Sequence, residues 1–154
     1  MNTNNSINSF MKEAIALAHI ALSKDDVPIG AVIVNSETKE IIGRGYNTSN
    51  IGSDPTMHAE MIAIKEACSN IGSKVLKNCY IYVTLEPCAM CATAISYAKI
   101  SRVYYGAQDI KFGAIDSNIM LYNSSLSIWL PDVYGGIEQD ACANLLKEYF
   151  KTKR

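Results

Sequence analysis

The chain has 154 residues and a mass of 16.9 kDa, with 49% hydrophobic residues, 19% charged residues, nine glycines and four prolines. These values exclude a disordered, collagen-like or mucin-like polypeptide and fit one folded unit that buries a core without disulfides. A net charge of −1 and a pI near 6.1 exclude a broad basic face for duplex nucleic acid, although Lys147, Lys151, Lys153 and Arg154 concentrate positive charge at the end of the chain.

The opening residues are rich in Asn and Ser and carry neither a basic nor an apolar export-signal region. The five cysteines are an odd count that favours metal or redox chemistry over a disulfide framework, so a reducing, cytoplasmic setting is expected. The apolar stretch Ala14–Leu22 is interrupted by His19 and is too short to cross a bilayer. Phe10, Ala14, Leu17, Ala18 and Ala21 share a face after the cap candidates Asn8 and Ser9, which predicts a helix ending before Lys24-Asp25-Asp26.

Ile29–Val34 and Ile41–Tyr46 are β-rich and separated by the polar Asn35–Glu40, which predicts a hairpin. A loop over Asn50–Pro55 leads to a second predicted helix, Met57–Ile71, with Met61, Ile62, Ile64 and Ala67 on its apolar face. Next come a buried strand over Tyr80–Thr84, a helix over Cys88–Ala98, a strand over Arg102–Gly106 and a glycine-punctuated loop over Ala107–Ser117. A short element falls near Asn118–Tyr122, and Ile128–Tyr134 reads as an edge strand interrupted by Pro131. The last helix runs from Glu138 to about Phe150, with Ala141, Leu145, Leu146 and Tyr149 on one face. This alternation predicts a layered α/β domain whose mixed sheet begins with an antiparallel pair and continues through crossover helices. Sites in such sheets form at the carboxyl ends of strands.

Two predicted helices begin with the most reactive residues of the chain. One opens with His58-Ala59-Glu60, the other with Pro87-Cys88-Ala89-Met90-Cys91. One imidazole and two thiolates form a three-ligand set for a single zinc ion, leaving the fourth position for water, as in catalytic sites. With Cys88 and Cys91 in a first helical turn, the two sulfurs share a face and the helix dipole favours thiolate. Glu60 need not ligate the metal and is suited to move protons beside a zinc-activated water. His-x-Glu is common by itself, and Cys-x-x-Cys alone reads equally as half a zinc knuckle, a redox pair or two core cysteines. Together, with a strand between them, they match the signature of zinc nucleobase deaminases. His19 reads as a core or surface histidine, Cys68, Cys79 and Cys142 as small buried hydrophobes, and Trp129, Tyr104 and Tyr105 as core or interface residues.

A wider set of segments extends the match: Val27-Pro28-Ile29-Gly30-Ala31-Val32, Gly45-Tyr46-Asn47, Asp54 to Glu60, Tyr82 to Cys88, and Gly106 to Ala114. With these the chain resembles the bacterial tRNA-specific adenosine deaminase family. The resemblance implies a three-layer α/β/α cytidine-deaminase-like domain over residues 1–154, with a mixed five-stranded sheet flanked by helices and one Zn2+ per chain. It implies hydrolysis of adenosine to inosine at the wobble position (34) of tRNA, by attack of a zinc-activated hydroxide on C6 with Glu60 as proton shuttle. It further implies a cytoplasmic homodimer that binds a tRNA anticodon stem-loop and no membrane.

By the same resemblance Asn47 and the backbone near Ala59 hydrogen-bond the base, and Ile29 and Leu85 wall the pocket. Asp109 and Lys111 contact flipped-out nucleotides, while Phe150, Lys151, Lys153 and Arg154 hold the backbone of the anticodon loop. Asp116 departs from the pattern, standing where a small residue is expected. Two alternatives differ in class: a free nucleobase or nucleoside deaminase acting on guanine or cytidine, and a silent zinc protein that only binds RNA or a partner, against which the intact Glu60 stands.

Overall fold

The computed structural model describes residues 3–125 and 129–153. Its elements follow the order α1 (Thr3–Ser23), β1 (Gly30–Asn35), β2 (Ile41–Tyr46), α2 (Ala59–Ile71), β3 (Cys79–Leu85), α3 (Ala89–Tyr97), β4 (Arg102–Ala107), a 3-10 turn (Leu121–Asn123), β5 (Asp132–Tyr134) and α4 (Gln139–Thr152). The strands form one mixed sheet in the order β2-β1-β3-β4-β5. β1 runs antiparallel to both β2 and β3, while β3, β4 and β5 run parallel. β3 is buried on both faces through Ile81, Tyr82 and Val83, as its near-continuous apolar run requires of a central strand.

Side chains alternate across the sheet and so divide the core in two. Ile33, Ile81, Val83 and Val103 pack with Ala63 and Ile95 from α2 and α3. Val32, Val34, Tyr82 and Tyr104 pack on the other face with Met11 and Ala14 from α1 and Cys142 from α4. Three layers result, the expected α/β/α architecture. α2 lies unusually close to β2, because a Cβ at Gly43 or Gly45 would strike the backbone of Ala63 or Ala59. That approach holds the beginning of α2 against the carboxyl end of β2.

The cross-strand partners Gly30 with Tyr46, Ala31 with Val83 and Leu85 with Ala107 bring the carboxyl ends of β2, β3 and β4 and the start of β1 to one sheet edge. Everything described below lies along that edge. Several boundaries differ from the sequence expectation. α1 begins at Thr3 and runs straight through Asn8 and Ser9, because Ile7 and Phe10 pack on the sheet and tertiary burial extends the helix past its local cap candidates. The element near Asn118–Tyr122 is a single 3-10 turn, and β5 keeps only the residues after Pro131. Ile128, the expected start of that strand, and Arg154 lie outside the described residues. Among the described residues no helix is long and apolar enough to cross a membrane.

Candidate metal centre and active-site pocket

His58 and Cys88 are the N-cap residues of α2 and α3, one position outside the helical turns where the sequence had placed them. Both have extended backbones, and neither side chain caps its own helix, so each is available to the space between the two helix starts. Cys91 sits at the third helical position of α3 and is completely buried. The His58 Nδ1 atom lies 3.6 Å from Cys88 Sγ and 3.5 Å from Cys91 Sγ, and the three ligand atoms fall within 4.8 Å of one another.

Tetrahedral zinc with its usual bonds to nitrogen and sulfur requires an N···S separation of about 3.6 Å. The donor set and its spacing therefore fit zinc. The protons are distributed accordingly. A hydrogen bond from Cys91 holds the Cys88 thiol down to about 4 against burial, with His58 adding to the effect. Cys91 is pushed far up as the partner that keeps the proton, and His58 is raised by its hydrogen bond to Cys88 in spite of burial. A thiolate at two helix N-termini is ready for a soft cation.

Glu60, at the second position of α2, is only 4% exposed. Burial pushes its carboxyl up to about 7, and its own backbone N–H offsets this only in part. A carboxyl in that range both takes and gives protons near neutrality.

Asn47 follows β2 and is buried. Its Oδ1 accepts the Ala59 N–H at 2.8 Å, so a residue from another element satisfies an orphan donor of the first turn of α2. In this structure the Ala59 N–H is given to Asn47, and Ala59 is fully buried. The Asn47 amide nitrogen, by contrast, has no protein partner among the described residues.

An open pocket of about 1070 Å³ lies over the cluster. Ile29, Asn47, Leu85, Asp109, Lys111 and Phe150 all line it, together with His58, Glu60 and Cys88. Met90, Phe112 and Leu146 also line it and were not expected there as pocket residues. In the tail, Lys153 Nζ is 2.6 Å from Asp25 Oδ1 and lies over the Tyr149 ring.

Two buried carboxylates shape the pocket walls, and no spacing rule pointed to either. Asp26, fully buried, accepts N–H groups of Val27 at 2.8 Å, Asn50 at 3.0 Å and Ile51 at 3.1 Å, tying the loop after β2 to the start of β1. Glu86 accepts N–H groups of Asp109, Ile115, Asp116 and Ser117 and the Ser117 hydroxyl. Burial pushes the Glu86 carboxyl up, but these hydrogen bonds together hold it below the usual range. Asp116 accepts the Tyr105 hydroxyl at 2.6 Å.

The remaining candidates are structural. His19 is exposed on α1, Cys79 and Cys142 are buried, and Cys68 is only half-buried rather than buried as expected. Trp129 donates its indole N–H to the Ile100 carbonyl, and Tyr104 stacks between Tyr82 and Tyr134.

Residues 4–107 match the family model for the cytidine and deoxycytidylate deaminase zinc-binding region, a span that includes all three ligand candidates. The chain is 48% identical over 144 residues to a tRNA-specific adenosine deaminase of Rickettsia bellii, covering 94% of this chain and 99% of that protein. It is also similar to a structure solved in a study of A-to-I editing by tRNA:A34 deaminases at the wobble position of transfer RNA, with a TM-score of 0.86 and 43% identity over 90% of this chain and 99% of that one. A guanine deaminase from Bacillus subtilis aligns with a TM-score of 0.63 and 33% identity, covering 82% of this chain and 88% of the other.

Proposed function

Because this chain belongs to the tRNA-specific adenosine deaminase family, within the zinc-dependent cytidine and deoxycytidylate deaminases, we propose that it hydrolyses adenosine to inosine at position 34 of a tRNA anticodon. The observation that carries this reading is the match to the Rickettsia bellii enzyme over nearly the whole of both chains. The pocket agrees with it. Its 1070 Å³ is at the upper limit of what a drug-sized ligand occupies, more than a lone base requires, and its rim is open.

His58, Cys88 and Cys91 would hold the zinc, which when bound would supply the Lewis acidity that makes a water nucleophilic at neutral pH. Glu60 takes a proton from the attacking water and delivers it to N1 of the adenine ring as the oxygen adds to C6. It then passes the second proton to the 6-amino group, so that ammonia leaves and one water is consumed. Asn47 offers its amide nitrogen to an acceptor on the base, and that orientation is held by its bond to Ala59. Ile29 and Leu85 close on the base and exclude bulk water.

Asp109, Lys111 and Phe150 receive the nucleotides on either side, with Phe112 and Phe150 offering faces on which bases stack. The working unit in this reading is a single domain over residues 1–154, acting in the cytoplasm as a homodimer. A second copy would enlarge the surface presented to an anticodon stem-loop, and the exposed Tyr97 at the end of α3 is apolar surface that suits such a contact.

The likeness to a guanine deaminase supports a second reading, hydrolysis of a free base. Inosine formation from an anticodon hairpin with adenosine at position 34, measured beside ammonia release from free guanine and cytidine, separates the two. Hairpin conversion is expected; turnover of guanine or cytidine without hairpin conversion would replace the tRNA reading with the second one.

A further inference from the structure

The segment from Gln108 to Ser117 contains no strand or helix, yet it places Lys111, the 81%-exposed Ile110 and the 63%-exposed Phe112 at the pocket rim. One side chain gives it shape. Glu86 is 2% exposed, and its Oε1 accepts the Asp109 N–H at 3.2 Å and the Ser117 hydroxyl. Its Oε2 accepts the N–H groups of Ile115 at 3.2 Å, Asp116 at 2.9 Å and Ser117 at 3.0 Å. The carboxylate therefore grips the loop at both ends, and residues 110–114 arch between the grips.

The arch has its own internal bonds, from the N–H groups of Lys111 at 3.1 Å and Phe112 at 3.0 Å to Asp109 Oδ1. Gly113 passes so close to the carboxylate that a Cβ there would strike the Glu86 side chain. The Pro87 carbonyl, next to Cys88, accepts the Ala114 N–H at 2.9 Å. Thus the same two residues that follow β3 and lead into the metal cluster also carry the loop.

We infer that Glu86 is a positioning residue for substrate recognition, fixing loop 109–117 in the shape that receives nucleotides flanking the target adenosine. The loop anchoring stands on geometry alone; its link to flanking nucleotides rests on the tRNA reading above. A loop already ordered in the free protein need not be ordered at the expense of binding, so loss of the anchor weakens substrate capture before it touches the chemical step.

The chemistry of an amide makes the test selective. In Glu86→Gln the carbonyl oxygen can keep the three N–H groups of residues 115–117, and the new NH2 can donate to the Ser117 hydroxyl oxygen. It then meets the Asp109 N–H donor to donor, so only the Asp109 grip is lost. The experiment compares zinc-loaded wild type with Glu86→Gln and Ser117→Ala by amide hydrogen exchange over 108–117, zinc content and kinetics on the adenosine-34 hairpin.

In Glu86→Gln, exchange at 109–112 and the hairpin KM should each rise about tenfold, the size expected for one lost charge-assisted hydrogen bond, with kcat within about twofold and zinc unchanged. Ser117→Ala should move both readouts the same way by less. Unchanged loop exchange in Glu86→Gln would overturn the anchoring, and an unchanged KM with kcat falling in step with lost zinc would overturn the recognition role in favour of support for the metal site. If the wild type fails to convert the hairpin, the tRNA reading falls and the flanking-nucleotide role falls with it, while the exchange data still decide the anchoring.

Discussion

At the floor of the pocket His58, Glu60, Cys88 and Cys91 come from two helix starts and are buried or half-buried, whereas at the rim Ile110, Phe112 and Phe150 are half or more exposed and sit on a loop and a helix end. The floor owes its geometry to short-range spacing and to the packing of helices on the sheet. The rim owes its geometry to a few long-range hydrogen bonds onto buried carboxylates. Changes in the floor should act on the chemical step or abolish it, and changes at the rim should act on capture of the substrate.

The floor gives the largest expected effects. Replacing both Cys88 and Cys91 by Ala should lower zinc from about one per chain to near none and remove activity, because a lone imidazole holds the metal poorly. Zinc that persists undiminished in that variant would move the metal elsewhere and dissolve the contrast. Glu60→Ala should keep its zinc and lose about 10²- to 10⁴-fold in kcat, the usual contribution of a positioned proton donor. Metal analysis of the purified variant checks the first half, and loss of zinc with an intact fold would make Glu60 part of the metal's support.

Asn47 lies between the two regions and should show a mixed effect. Asn47→Ala leaves the buried Ala59 N–H unpaired, which should cost about 1 kcal/mol of stability, as for other lost helix caps, and should lower kcat/KM on the hairpin by more than that loss explains. Thermal melts beside kinetics separate the components; a stability loss with normal kcat/KM would confine Asn47 to the helix start.

The smallest effect belongs to the tail. Deleting residues 151–154 should raise the hairpin KM and reduce the salt dependence of binding by about 0.7 in log–log slope for each phosphate that the shortened chain no longer neutralises. Because Lys153 is already paired with Asp25, Lys151 and Arg154 should account for most of the change. Hairpin kinetics untouched by the deletion would remove the tail from the rim.

The same contrast governs what the sequence discloses. The metal centre was legible because His58 and Glu60, and Cys88 and Cys91, are each within three residues of one another, and helix-start geometry makes such spacing meaningful. The sheet was legible because β1, β2, β3 and β4 are dense in β-branched and aromatic residues. The roles of Asp26 and Glu86 were not, since their loop partners lie 23 to 31 residues further along and the match is made by loop backbone, which has no side-chain signature. The early start of α1 and the N-cap placement of His58 escaped for a related reason: the packing of Ile7 and Phe10 on the sheet and the bond from the Ala59 N–H to Asn47 are tertiary contacts that local propensity does not disclose.

The position of β3 in the sheet gives the chain a sequence of events. His58 precedes this strand and Cys88 follows it, and β3 occupies the centre of the sheet between β1 and β4. The two ligand halves meet only when β3 has paired, so a chain still emerging from the ribosome, or a refolding chain with an unfinished sheet, lacks the complete three-ligand set. Tight metal uptake should therefore follow pairing of β3, and its time course after dilution from denaturant tests this.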